Sequence, residues 1–133
     1  MADSAGAISV NALSAELIVL NALKSLVANT DGTFRCYPDV APSGSLRPYF
    51  TYQAVGGQST NYLSNTVALQ NARVQVNAWA DDRAPAIRLI QSAIDALTVA
   101  PINATSIGAP VSVYEPDTKL YGSRLDFSIW FTP

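Results

Sequence analysis

The chain has no histidine and one cysteine, and only 14% of its 133 residues are charged. Each scarcity removes a class of function. Without histidine there is no imidazole to serve as a general base, and a Cys–His nucleophile is impossible. The lone cysteine, Cys36, permits no internal disulfide, which fits a reducing compartment. It stands between Arg35 and Tyr37 and reads as an apolar strand residue. Asp81 and Asp82 are the one adjacent acidic pair and read as a helix cap, so no carboxylate cluster suggests a metal. Gly56 and Gly57 lack the Lys and Ser/Thr of a phosphate loop, and Ser123 has no base to activate it. The expectation is a protein with no catalytic residues, no metal and no cofactor. Lysine- or aspartate-based chemistry stays open on sequence grounds.

The low charge also bounds the partners. A typical domain carries about 25% charged residues. Here the net charge is −2, and the eight basic residues are scattered without a run or helical stripe. Sequence-specific nucleic-acid binding is therefore not expected. The start, Met1-Ala2-Asp3-Ser4, lacks a basic signal region, and the longest apolar stretch, near Leu17 to Leu20, is far too short to span a bilayer. The expected site of synthesis is the cytoplasm, with no membrane partner. A small domain with so few charges reads as one that hides part of its surface in an oligomer.

Hydrophobic residues make up 49% of the chain, and a chain of this length can bury roughly two-thirds of its unfolded surface. One domain over 10–133, preceded by a flexible tail over 1–9, fits these figures. A helical pattern runs from about Val10 to Ala28, with Ser9 or Asn11 as cap and Gly32 in a left-handed turn after it. Strand patterns cover Thr33 to Tyr37, Tyr49 to Val55 and Ala72 to Ala80. A second helix is expected over Arg83 to Leu97, capped by Asp81-Asp82 with Pro85 in its first turn. Val99 to Pro110 reads as a loop, Val111 to Tyr114 as a short strand, and Leu120 to Phe131 as a long one. The fold class is α+β: a mostly antiparallel sheet of four to five strands with two main helices packed on one face.

Alternation in the two long strands separates two faces. Val74, Val76, Leu125, Phe127 and Ile129 share one, and with Phe50 and Tyr52 they are expected to meet Leu17, Leu20, Ile87, Ile90 and Ile94 in the core. The opposite face carries Arg73, Gln75, Trp79, Arg124, Asp126 and Trp130. Trp and Arg are frequent interface anchors, so this face reads as one that meets another subunit, with Arg73 and Asp126 paired across strands. Between Gly56 and Asn71 lies a long Ser/Thr/Asn-rich loop. Gln58, Asn61, Tyr62 and Asn65 are its candidate docking residues, toward a neighbour or a tube.

Taken in order, Arg35-Cys36-Tyr37-Pro38, Ala41-Pro42, Pro48-Tyr49-Phe50-Thr51-Tyr52, the Ala72 to Trp79 run, Tyr114 to Thr118 and the closing Leu120 to Phe131 resemble the tail completion proteins of long-tailed bacteriophages and prophages. The resemblance covers about residues 10 to 132. It implies a small α+β subunit of the virion's tail-neck region, assembled in the host cytoplasm into a ring that is usually sixfold. Such a ring caps the head-proximal end of the tail tube, stops its polymerisation and presents a surface to the head connector or neck protein. DNA passes through it, and the family has no catalytic site. Pro101 to Pro110 departs from the family by reading as compact where relatives carry another strand, and the N-terminal tail is longer than in many. Two other readings fit the residues: a head-side stopper or head-completion protein, and a small non-enzymatic binding module unrelated to phages.

Overall fold

The computed structural model describes residues 14–58 and 69–132. Helix α1 spans Ala15–Leu23 and runs into a 3-10 turn at Lys24–Val27. Strands β1 (Cys36–Pro38), β2 (Tyr49–Ala54) and β3 (Gln70–Ala80) follow, then helix α2 (Arg83–Leu97) and strands β4 (Thr105–Glu115) and β5 (Leu120–Phe131). They form one five-stranded sheet in the order β1-β2-β3-β5-β4. The β1–β2 pair is parallel and the other three are antiparallel. Both helices lie on the same side, α2 over β3 and β5, and α1 over β2 and against α2. This is the expected α+β architecture.

The alternation of the long strands places the core as expected. Phe50, Val74, Val76, Phe127 and Ile129 are fully buried, and Tyr52 and Leu125 nearly so. The helices turn differently from the expectation. Leu17 is 37% exposed and Ile87 is 43% exposed, so neither belongs to the buried stripe. In α1 the sheet is met by Ala15, Ile18, Val19 and Leu23. Its run of apolar residues is nearly continuous, so spacing alone does not select a face. In α2 the buried set is Ala86, Ile90, Ala93 and Leu97. The spacing of 4, 3 and 4 shares Ile90 and Leu97 with the isoleucine stripe but rotates it toward the alanines. Small side chains let the helix approach the sheet closely, and Ile94, like Leu20, packs at the margin.

Other boundaries moved as well. Ser14 caps α1, its Oγ accepting the Leu17 N–H at 3.1 Å; Ser9 and Asn11 lie outside the described residues. Asp82 is the N-cap residue of α2 with no side-chain cap bond, while Asp81 accepts from Arg47 Nε at 2.7 Å. The first strand starts at Cys36 rather than Thr33, because Phe34 bridges back to Ala28. The largest correction concerns β4. It begins at Thr105, so the region read as a compact loop before Val111 contributes strand, with a register break between Ile107 and Val111. Gly108 and Pro110 mark that break and mask the strand pattern.

Local anchors fix the edges of the sheet. The Glu16 carboxylate accepts the Ala54 N–H at 2.8 Å, tying α1 to the end of β2. Arg35 donates from Nε to the Pro48 carbonyl at 2.8 Å and from Nη1 to Asn29 Oδ1. Gly57 sits at φ +150°, where an added Cβ would stand 2.4 Å from the Asn71 carbonyl oxygen. A glycine is required there for the backbone to reach the start of β3.

Candidate functional site

Both helices cover one face of the sheet, which leaves the other to Thr51, Asn71, Arg73, Gln75, Asn77, Trp79, Arg124, Asp126, Ser128 and Trp130. Alternation forces this set outward on β3 and β5. The face is ordered by hydrogen bonds between strands. Trp79 Nε1 donates to Thr51 Oγ1 at 3.1 Å, across from β3 to β2. Arg124 Nε donates to Asn77 Oδ1 at 2.7 Å, and Arg73 Nε to Asp126 Oδ2 at 2.6 Å. At the far end, Asn71 Nδ2 donates to Ser128 Oγ at 2.9 Å, and Asn71 Oδ1 accepts the Gln58 N–H at 2.9 Å. Thr51 and Asn77 are buried polar groups, and these bonds give each side-chain oxygen a donor.

The expected interface residues thus share a face, and the Arg73–Asp126 pair forms as expected. The two tryptophans, however, do not make one patch. Trp79 pairs with Gly122, and Trp130 pairs with Asn71. The strands run antiparallel, so the similar patterns Arg73 to Trp79 and Arg124 to Trp130 place their tryptophans at opposite ends. Eight register positions separate them, roughly 27 Å at about 3.4 Å per residue. Trp79 is half-buried and lies on Gly122, where an added Cβ would meet its ring at 2.7 Å. Trp130 stays 40% exposed. Of the loop residues, Gln58 is bonded to Asn71, while Asn61, Tyr62 and Asn65 lie outside the described residues.

Toward the Trp79 end the face sinks into a hollow of about 370 Å³, lined among others by Tyr49, Asn77, Trp79, Glu115 and Arg124. Burial, reinforced by the Glu115 charge, pushes the Tyr49 phenol above its ordinary value. Asn77, outward by its parity with Gln75 and Trp79, belongs to this surface although it was not among the candidate residues, and Tyr49 and Glu115 were missed as parts of it. Behind the sheet, burial pushes the Cys36 thiol up to about 12, which makes it a protonated core residue. Among the described residues, no group of three or more His, Cys, Asp or Glu side chains gathers as a metal site would need.

The polar groups of this broad sheet face are paired with each other across the strands. The family model of the tail completion protein gp17 matches residues 11–132. The chain belongs to that family. It is therefore a structural tail protein of the phage virion. Among solved structures, it is similar to a chain in the virion of a native gene transfer agent particle. The identity is 12%, the TM-score is 0.51, and the match covers 96% of this chain and 92% of that one. At that identity the likeness is one of fold. No curated protein matches. Among the described residues, no helix is long and apolar enough to cross a membrane.

Proposed function

We propose that this tail completion protein closes into a ring of six copies at the head-proximal end of the tail tube. There it ends tube polymerisation and offers a surface to the head connector or neck protein, with DNA passing through the ring. The observation that carries the reading is the face of the five-stranded sheet that no element among the described residues covers. Its strands bear Trp and Arg where a solvated face would carry Lys, Glu and Thr. Family membership supplies the tail, and the low charge of 14% supports a subunit that covers much of its surface on assembly. A ring needs two unlike contact surfaces on each copy, related by a rotation that closes. The roles suggested for Arg73, Gln75, Trp79, Arg124, Asp126 and Trp130 belong to this proposal, as do those of Gln58, Asn61, Tyr62 and Asn65 as the segment meeting the tube or a neighbour.

Electron microscopy of particles carrying a labelled copy of this chain tests the position. A ring between tube and neck is expected. Label at the distal tip, or none in the virion, would sink the proposal, and label on the head side of the joint would make the chain a neck protein. Trp130→Ala should lower the yield of joined head–tail particles while leaving the melting temperature of the free subunit nearly unchanged.

A further inference from the structure

The hollow at the Trp79 end has a floor whose polar groups are only partly paired. The register sets Thr51, Asn77 and Arg124 side by side in one row across β2, β3 and β5. Thr51 is 5% exposed and Asn77 is 7% exposed, and both line the hollow. Arg124 carries donors alone, so the Asn77 atom turned to it is the amide oxygen, and Nδ2 is turned away. Among the described residues Nδ2 donates to nothing, and the Thr51 hydroxyl, which accepts from Trp79, donates to nothing either. A buried donor left without an acceptor is costly, and folded proteins keep few of them. Arg124 commits Nε to Asn77, which leaves its two Nη groups as further donors on the same wall.

The rim has the opposite character. Asp39, from the loop after β1, and Glu115, at the end of β4, line the hollow and are both exposed. The Glu115 carboxylate accepts from Thr118 Oγ1 at 2.9 Å, and neither acid has an ion-pair partner among the described residues. An occupant must therefore accept hydrogen bonds at its deep end and donate them at its outer end. A lysine or arginine side chain carries no acceptor and would leave the floor unpaired. A carboxylate would suit the floor, but two acids against one guanidinium make the lining negative on balance and repel it. A primary amide has the acceptor oxygen and the N–H donors on one planar group, without charge. A backbone peptide has both as well, but its chain would have to bend into the hollow to reach the floor, whereas a side chain enters from above.

We propose that the hollow receives an asparagine or glutamine side chain from the protein that meets this face in the tail. Its oxygen accepts from the donors of the floor, and its N–H groups turn to the carboxylates of the rim. This rests on the reading of the open face as an assembly surface and names the chemical group which that surface recognises. The contribution is selectivity rather than area. A partner with an apolar or cationic residue at that position leaves buried donors unpaired, and one with an acid meets like charge.

Two reversals of hydrogen-bonding character test the site, each read as the yield of joined head–tail particles. Asn77→Asp keeps the oxygen for Arg124 and replaces the Nδ2 donor with an acceptor. Glu115→Lys, at the exposed rim, replaces an acceptor with a donor. Asp117→Lys, on the same turn but outside the hollow, is its control. An amide occupant loses a partner either way. Yield should fall about tenfold or more for Asn77→Asp, the scale of a buried polar group left unpaired. It should fall several-fold for Glu115→Lys and stay near wild type for Asp117→Lys. Melting curves of the free subunits show which variants fold; should Asn77→Asp not fold, Thr51→Val takes its place by removing the other buried donor. A fall in only one of the pair, or a rise in either, overturns the proposal: Glu115→Lys falling alone marks a cationic occupant, and Asn77→Asp falling while Glu115→Lys rises marks an anionic one. Unchanged yield in both, with labelled copies present at the tail end, removes the hollow from assembly while the functional reading stands. If labelled copies are absent from the tail end, that reading fails first.

Discussion

On its helix side the sheet is joined by Phe50, Val74, Val76, Phe127 and Ile129 packed under α1 and α2. On its other side the same strands are joined by Trp79–Thr51, Arg124–Asn77, Arg73–Asp126 and Asn71–Ser128 hydrogen bonds. The first face gains from removing apolar area from water, an effect that depends on volume and close packing. The second gains from directional bonds that hold side chains in place with no covering layer among the described residues, each contributing modestly to stability. A core face specifies the fold, and a face with fixed side chains that no described element covers is, on the proposed reading, where a neighbour docks. Replacements on the two sides should therefore differ in size and in kind.

The largest effect is expected beneath the helices. Phe127 is fully buried, and Phe127→Ala should cost about 3–5 kcal/mol in denaturant unfolding. Within α2 the same comparison can be made one residue type at a time. Ile90→Ala should cost about 2–5 kcal/mol, because Ile90 is fully buried. Ile87→Ala, at a 43% exposed position, should cost under about 1 kcal/mol. Equal losses would mean that α2 presents the isoleucine stripe after all.

Gly122 lies where the comparison is sharpest, since its missing side chain makes room for Trp79 on the open face. Gly122→Ala forces the indole or Val113 to shift, each standing 2.7 Å from the added Cβ. A loss of about 1–3 kcal/mol is expected, with a changed tryptophan emission spectrum. A neutral substitution with unaltered emission would show that Trp79 does not rest on this glycine.

A pH effect should come from the helix side. Burial raises the Cys36 thiol from 9.0 to about 12. The folded state holds the proton more tightly than the unfolded chain, so the contribution is fully present below pH 9. It is lost as pH rises toward 12. Tyr49 and Tyr52 are shifted in the same direction, chiefly by burial, and add to the alkaline loss. Stability should fall above pH 9, and Cys36→Ala should make that fall shallower. An identical pH profile for the variant would remove Cys36 from the account.

Much of this comparison was legible in the sequence. Strict alternation from Ala72 to Ala80 and from Leu125 to Phe131 assigns both faces, because a strand has only two. Arg83 to Leu97 was readable as a helix from its acidic start and its apolar period. The faces of the helices were not, since α1 is apolar around most of its circumference and the alanines of α2 carry little periodic signal. Nor was the first half of β4, before Val111, where Gly108 and Pro110 interrupt the pattern that its partner strand restores. The open face was readable as a list of residues but not as a layout. Antiparallel pairing, which puts Trp79 and Trp130 at opposite ends, is a long-range fact that a linear pattern does not contain.

The smallest effect on folding is expected for the Arg73–Asp126 pair. Its geometry is close, at 2.6 Å, but the Arg73 side chain is 48% exposed while Asp126 is 13% exposed. Solvent and the entropy of fixing the arginine offset most of the Coulomb attraction. A double-mutant cycle with Arg73→Ala and Asp126→Ala should give a coupling of about 0.2–1 kcal/mol, decreasing as salt is added. The same variants separate the two faces functionally. Asp126 holds Arg73 in one position on a surface that a neighbour can cover, and a contact with a positioned guanidinium depends on that orientation. Each single variant should therefore reduce head–tail joining by a larger factor than its small folding loss implies, and Arg73→Lys should not restore it. A coupling above about 2 kcal/mol would make the pair part of the folding core. Normal joining in both single variants would leave this stretch of the open face without a partner.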